Sequence, residues 1–222
     1  MSEVCMALEI ELKFLNPDFA ALRRRLMALG AEPLDRVFER NLVFDDAARS
    51  LKSASTLLRL RTERKSLLTL KRPPEREQDG VKVFEEIETE VADPLAMQRM
   101  LEALGYREAF AYEKLRETWR FGEQLVCLDI LPFGRFVEIE GEREALFEAA
   151  RALGLPPESS STKTYHQLNL ERQTREGANP SETFVFEPAE RARIETQEFG
   201  RPWPPSTAPE NDTILQETMR NQ

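Results

Sequence analysis

Three Glu-x-Glu pairs stand out in the 222-residue chain: Glu9 and Glu11, Glu86 and Glu88, and Glu138 and Glu140, each split by an isoleucine. Basic residues repeat at the same spacing in Arg59 and Arg61 and in Lys114 and Arg116, and Lys13, Lys71 and Asp129 also alternate with apolar neighbours. In an extended chain, side chains two residues apart share a face. Each pair therefore presents like charges together. The intervening Leu8, Ile10, Leu12, Leu58, Leu60, Leu68, Leu70, Leu115, Leu128, Ile130, Val137 and Ile139 form an apolar face. In one strand this alternation describes an ordinary half-solvated sheet. Over seven strands it carries more, because a solvated face mixes Ser, Thr and Gln with single charges, whereas here acids are paired on some strands and bases gathered on others. If the sheet closes, the charged set lines a tunnel. Such a tunnel requires complementary ions. The matching ligand is a polyanion with divalent cations, the carboxylates holding metal and the Arg and Lys side chains holding phosphate.

Composition narrows the alternatives. With 31 Lys+Arg against 40 Asp+Glu, the net charge is −9. That disfavours the broad basic surface that nucleic acid requires. No apolar run approaches the roughly 20 residues of a membrane span, and the first 13 residues lack the basic start and apolar core of a signal peptide. The expectation is a cytoplasmic protein with neither a membrane nor a nucleic-acid partner. One His and two Cys leave no His-based zinc site and no disulfide framework, so a metal here is held by oxygen. Neither GxxxxGK[ST] nor GxGxxG occurs, which removes the P-loop and Rossmann readings.

The elements that must position these charges are legible in outline. A strand followed by an amphipathic helix ending in Leu-Gly occurs three times, with Leu29-Gly30, Leu104-Gly105 and Leu153-Gly154 as the stops. Asn16-Pro17 and Asp93-Pro94 read as helix starts. Further strands are expected at Asp35–Asp45, Thr56–Thr62, Ser66–Arg72, Tyr112–Arg120 and Gln124–Leu131, and their short links imply antiparallel pairing. The expected fold class is α+β: a large antiparallel sheet or barrel with helices packed outside. From Arg172 onward there is no lysine, six of the 14 prolines gather, and apolar residues scatter. The chain is accordingly divided into a folded domain over 1–171 and a mostly disordered tail over 172–222, with a short docking element at Thr183–Phe186 left open. Removal of the tail is expected to spare fold and chemistry.

Glu9-Ile10-Glu11-Leu12-Lys13 resembles the ExExK signature of the CYTH domain, or triphosphate tunnel metalloenzymes. The likeness continues in order through LLRLR at 57–61, LTLKRP at 68–73, EEIETEV at 85–91, YEKLRETW at 112–119, LDILPFGRFVEIEG at 128–141 and STKTYHQL at 161–168. The 128–141 segment is most similar to class IV adenylate cyclases. The resemblance implies an eight-stranded antiparallel tunnel that binds Mg²⁺ or Mn²⁺ through Glu9, Glu11, Asp129, Glu138 and Glu140. It implies triphosphate binding by Lys13, Arg59, Arg61, Lys71, Arg116 and Lys163, with Lys114 as a further candidate and Glu86 and Glu88 lining the same cavity. Lys13 is the residue assigned a catalytic role. Phe84 stands where many members carry Arg, and Asn41 and Val43 stand where Asp and Tyr are common.

Two reactions share this machinery. Attack by the ribose 3′-OH of ATP gives cyclic AMP and pyrophosphate; attack by water hydrolyses an inorganic or organic triphosphate. The 128–141 segment favours the cyclase. A non-catalytic polyphosphate-binding module is a third reading, disfavoured because anion binding alone has no use for five acids beside the bases. A homodimer is left open. His166 is expected to pack or face solvent, Cys127 to be passive, and Trp119 and Phe133 to belong to the core or its rim.

Overall fold

The charge alternation seen in the sequence closes into a barrel. The computed structural model describes residues 7–74 and 82–199. Its strands are β1 (Ala7–Leu15), β2 (Glu32–Asp45), β3 (Leu57–Thr62), β4 (Ser66–Arg72), β5 (Lys82–Val91), β6 (Arg107–Phe121), β7 (Gln124–Leu131) and β8 (Gly134–Glu140). They close in the order β1-β5-β4-β3-β2-β6-β7-β8, and every pairing is antiparallel. Closure leaves no sheet edge unpaired. It also gives each strand an inside and an outside, so one parity of residues faces the lumen and the other faces the helices.

The outward parity builds the core. Leu12, Phe14, Leu115, Leu128, Ile130, Val137 and Ile139 pack with Phe19, Leu22 and Leu26 of α1 (Phe19–Ala28) and Leu146, Ala149, Ala150 and Leu153 of α4 (Arg143–Leu153). A smaller cluster seats Leu101 of α3 (Pro94–Ala103) on Phe44, Leu60 and Val91. The helix stops follow the expected chemistry, with Gly30, Gly105 and Gly154 at φ of 74°, 93° and 75°, where a side chain would be strained. Asp93 and Pro94 start α3 as read. The first helix starts two residues later than Asn16-Pro17 suggests. Asn16 takes a left-handed φ of 52° to turn the chain out of β1, and Asp18 caps the helix by accepting from Ala21 N at 3.0 Å. No helix among the described residues is long and apolar enough to cross a membrane.

The division at residue 171 needs correction. Helix α5 (Tyr165–Glu176) runs across it, opened by a capping box between Thr164 and Gln167. After α5, Phe184 and Phe186 are both 6% exposed. Phe184 bridges to Tyr112 of β6 and Phe186 N donates to Glu113 at 3.0 Å. Helix α6 (Pro188–Phe199) follows, held by Glu198 to Arg23 at 3.2 Å. Thr183–Phe186 is thus a docking element, and 172–199 belongs to the folded unit. Composition misled because few apolar residues are needed to dock a strap on a core built elsewhere. Residues 200–222 lie outside the described residues. Phe184→Ala should lower stability by about 3 kcal/mol, in the range for buried phenylalanine truncation, as a shift in urea midpoint without change in slope. An unchanged midpoint would mean that the strap is not part of the core.

Candidate active site

Antiparallel register brings the inward charges face to face. Glu11 lies opposite Glu140, and Lys13 opposite Glu138, across β1 and β8. Arg116 lies opposite Asp129 across β6 and β7, and Lys71 and Thr69 lie opposite Glu86 and Glu88 across β4 and β5. Because the sheet closes, these seams look into one cavity of about 760 Å³ whose lining includes Glu11, Lys13, Arg59, Arg61, Lys71, Glu86, Glu88, Lys114, Arg116, Glu138 and Glu140.

One wall is acidic. Glu11, Glu138 and Glu140 each offer a carboxylate oxygen, all within 4.8 Å of one another. Three hard oxygen donors converging in a largely buried site fit Mg²⁺ or Mn²⁺. Lys13, 1% exposed, lies 3.0 Å from Glu11 and 3.0 Å from Glu138, donates to the Lys163 carbonyl at 3.3 Å and sits over the Tyr165 ring. Burial pulls its pKa down, but Glu138 and Glu11 outweigh burial and hold it above the usual lysine range.

Arg116 is the hub of the site. Its Nε donates to Asp129 Oδ1 at 2.7 Å and an Nη donates to Asp129 Oδ2 at 2.6 Å, a bidentate fork. The same guanidinium pairs with Glu138 and with Glu140 at 3.4 Å. Asp129, wholly buried, also meets Lys114 at 3.3 Å and accepts from the Tyr165 hydroxyl at 2.9 Å. It anchors the cations and stands outside the three-carboxylate cluster. Burial, with the nearby Asp129 and Glu138 charges, raises the Tyr165 pKa well above normal, so its hydroxyl stays protonated. Burial likewise keeps Cys127 a thiol.

The facing wall is basic. Arg59 donates to the Tyr112 hydroxyl at 3.1 Å, Arg61 lies 3.5 Å from Glu88, and Lys71 lies 2.9 Å from Glu86. Glu88 accepts from Thr69 at 2.7 Å. Each base is thus held in place by an acid or hydroxyl from another strand, Lys71 from the adjacent β5 and Arg59 and Arg61 from strands two places away. Two further residues singled out in the sequence are placed differently or not at all. Lys163 sends its ammonium outward to Glu171 at 2.7 Å and contributes only its carbonyl. Glu9 takes the register position opposite Phe84 on β1, and its side chain lies outside those described.

Sequence reasoning missed Glu39, Tyr112 and Tyr165, and named His166 only as a packing or surface residue. Glu39 is 1% exposed. Burial would push its pKa up, yet Lys114, Arg116, Arg61 and Arg59 together pull it down to about 2. Its signal was available, since Glu39 continues the inward parity of Asn41 and Val43, as Tyr112 continues that of Lys114 and Arg116. Tyr165 and His166 come from α5, which no alternation places. His166 sits among Phe110, Tyr112 and Phe184 and lines the cavity.

This arrangement has a counterpart among known proteins, for the CYTH domain profile matches residues 7–165. The chain belongs to the CYTH domain family. A Methanocaldococcus jannaschii protein carrying the name "Putative adenylate cyclase" is 24% identical over 172 residues, 72% of this chain and 98% of that one. Among solved structures, a Vibrio parahaemolyticus protein described as a "putative adenylate cyclase" aligns with a TM-score of 0.65 at 22% identity, covering 74% of this chain and 98% of its own. A Hippeastrum protein described as a "Putative adenylyl cyclase" with "a dominant" triphosphatase activity aligns with a TM-score of 0.53 at 24% identity, covering 77% of this chain and 97% of its own. These likenesses establish the CYTH barrel and its extent.

Proposed function

We propose that this CYTH protein is a divalent-metal-dependent enzyme acting on a triphosphate inside the barrel, with conversion of ATP to cyclic AMP and pyrophosphate as its reaction. The observation that carries the reading is the convergence of Glu11, Glu138 and Glu140 beside Lys13, Lys114, Arg116, Arg59, Arg61 and Lys71 in one cavity. Anion binding alone would be weakened by that acid cluster, whereas a metal–triphosphate complex uses both walls. Glu11, Glu138 and Glu140 would hold Mg²⁺ or Mn²⁺, with Glu9 added by the family pattern. When bound, the ion supplies Lewis-acid polarisation and offsets phosphate charge.

The chain's own residues do the rest. Arg59, Arg61, Lys71, Lys114 and Arg116 bind the phosphate oxygens and neutralise charge that develops on the leaving group, the dominant contribution in phosphoryl and nucleotidyl transfer. Asp129 and Tyr165 orient Lys114 and Arg116, and Lys13 orients Glu11 and Glu138. Apolar lining supports an organic substrate: Val43 lies opposite both Arg59 and Phe110, Leu57 lies opposite Lys71, and Phe84 and Leu170 line the same cavity. Tripolyphosphate would leave that surface unused. The names of the Methanocaldococcus and Vibrio relatives agree with a cyclase.

Hydrolysis is the second reading, favoured by the triphosphatase activity named for the Hippeastrum neighbour. Water replaces the 3′-hydroxyl as attacker while the same side chains bind the phosphates. Incubation with Mn²⁺ and, separately, ATP, tripolyphosphate and thiamine triphosphate, followed by product identification, separates the cases. Cyclic AMP with pyrophosphate is the expected product. Orthophosphate marks a triphosphatase, and tight binding without turnover marks a polyphosphate-binding module and overturns the enzymatic reading.

A further inference from the structure

One buried acid takes no part in the metal or phosphate contacts assigned above. Glu39 of β2 stands apart from the Glu11, Glu138 and Glu140 cluster, with its carboxylate 3.4 Å from Lys114 Nζ and 3.8 Å from Arg116 Nε. The register explains why. Strand β6 pairs with β2 on one side and β7 on the other, placing Glu39 opposite Lys114 and Asp129 opposite Arg116. Lys114 Nζ is consequently gripped between two acids, Glu39 at 3.4 Å and Asp129 at 3.3 Å.

The surroundings of Glu39 are held by charge more than by hydrogen bonds. Glu39 Oε2, both side-chain amide atoms of Asn41, and the Nε atoms of Arg59 and Arg61 are buried without a hydrogen-bond partner. Asn41 shares the face of Glu39 and lies opposite Arg61. Arg116 is also fixed by its fork to Asp129, whereas the carboxylates beside Lys114 Nζ are Glu39 and Asp129, so Lys114 depends on Glu39 more than Arg116 does. An acid here also has a cost, since a carboxylate beside phosphate-binding bases repels a polyanion. Its presence therefore has to serve the geometry of the bases and not the affinity of the site.

Building on the functional reading above, we propose that Glu39 is a positioning residue: it fixes Lys114 and Arg116 from the β2 side, opposite Asp129, so that both cations meet the charge developing on the phosphate. It acts through these bases and does not touch substrate. Glu39→Gln removes the charge while keeping the shape. In the full-length protein with Mn²⁺ and ATP, kcat per folded molecule should fall at least tenfold, while KM stays the same or decreases because one repelling charge has gone. A purely structural role would instead lower the melting temperature and the folded fraction and leave kcat per folded molecule and KM unchanged, and that result overturns the inference.

Where Glu39→Gln fails to fold, Glu39→Asp keeps the charge and shortens its reach; a tenfold lower kcat supports positioning, and a wild-type kcat overturns it. The double variant with Lys114→Met supplies a further check. If Glu39 acts through Lys114, adding the Glu39 substitution to Lys114→Met brings less than a threefold further loss, whereas fully additive losses contradict the proposal. A wild type that turns over no triphosphate overturns the functional reading and this inference with it. A wild type that turns over, beside a Glu39→Gln enzyme with matching kcat, overturns this inference alone.

Discussion

Glu138→Gln should reduce triphosphate turnover by about 10²–10³-fold, the loss seen when one preorganised electrostatic group is removed from a catalytic site, while leaving the barrel folded. Glu138 joins the acid cluster to the cations of the cavity. It belongs to the three-carboxylate cluster, lies 3.0 Å from Lys13 and pairs with Arg116. The amide keeps the volume but loses the charge that a divalent ion requires. Lys13 retains Glu11 at 3.0 Å, and Arg116 retains its fork to Asp129, so no buried cation is stranded. Turnover and circular dichroism measured on one preparation check this. Activity within threefold of wild type would mean that Glu138 holds no catalytic ion.

Arg116→Ala should damage both activity and stability. The guanidinium pairs with Asp129, Glu138, Glu140 and Glu39. Removing it leaves wholly buried Asp129 with Lys114 and Tyr165 alone and lets the remaining acids repel one another. Breaking a buried pair from one side costs about 3–5 kcal/mol, and turnover should fall to background. Arg116→Lys is the control: it restores one charge but not the planar two-pronged contact, so it should recover much of the stability and little of the activity. Chemical denaturation and initial rates on the three proteins give the test. Full activity in Arg116→Lys would show that charge alone is needed.

The sequence and the structure agree where a short-range rule governs. Alternation alone assigned Glu11, Lys13, Arg59, Arg61, Lys71, Lys114, Arg116 and Glu138 to one face, because a strand leaves each side chain only two directions. It could not give register, and register decides that Glu11 meets Glu140 while Asp129 meets Arg116. The family resemblance implies Asp129 as a metal ligand, and register places it against Arg116, with Lys114 and Tyr165 as further partners. The placement of Lys163 has another origin: it precedes a helix, and its ammonium pairs with Glu171 beside the Thr164 cap, which no strand parity reports. The strap at Thr183–Phe186 was left open and helix α6 was hidden because their contacts lie on β6 and α1, far away in sequence.

On the proposed function, the acid cluster and the basic wall act together on a metal-bound triphosphate. The direct measurement is turnover of ATP and of tripolyphosphate by the wild-type protein as Mn²⁺ is titrated against excess EDTA. No turnover in EDTA, with full recovery once Mn²⁺ exceeds the chelator, is the predicted result. Undiminished turnover in excess EDTA would contradict it.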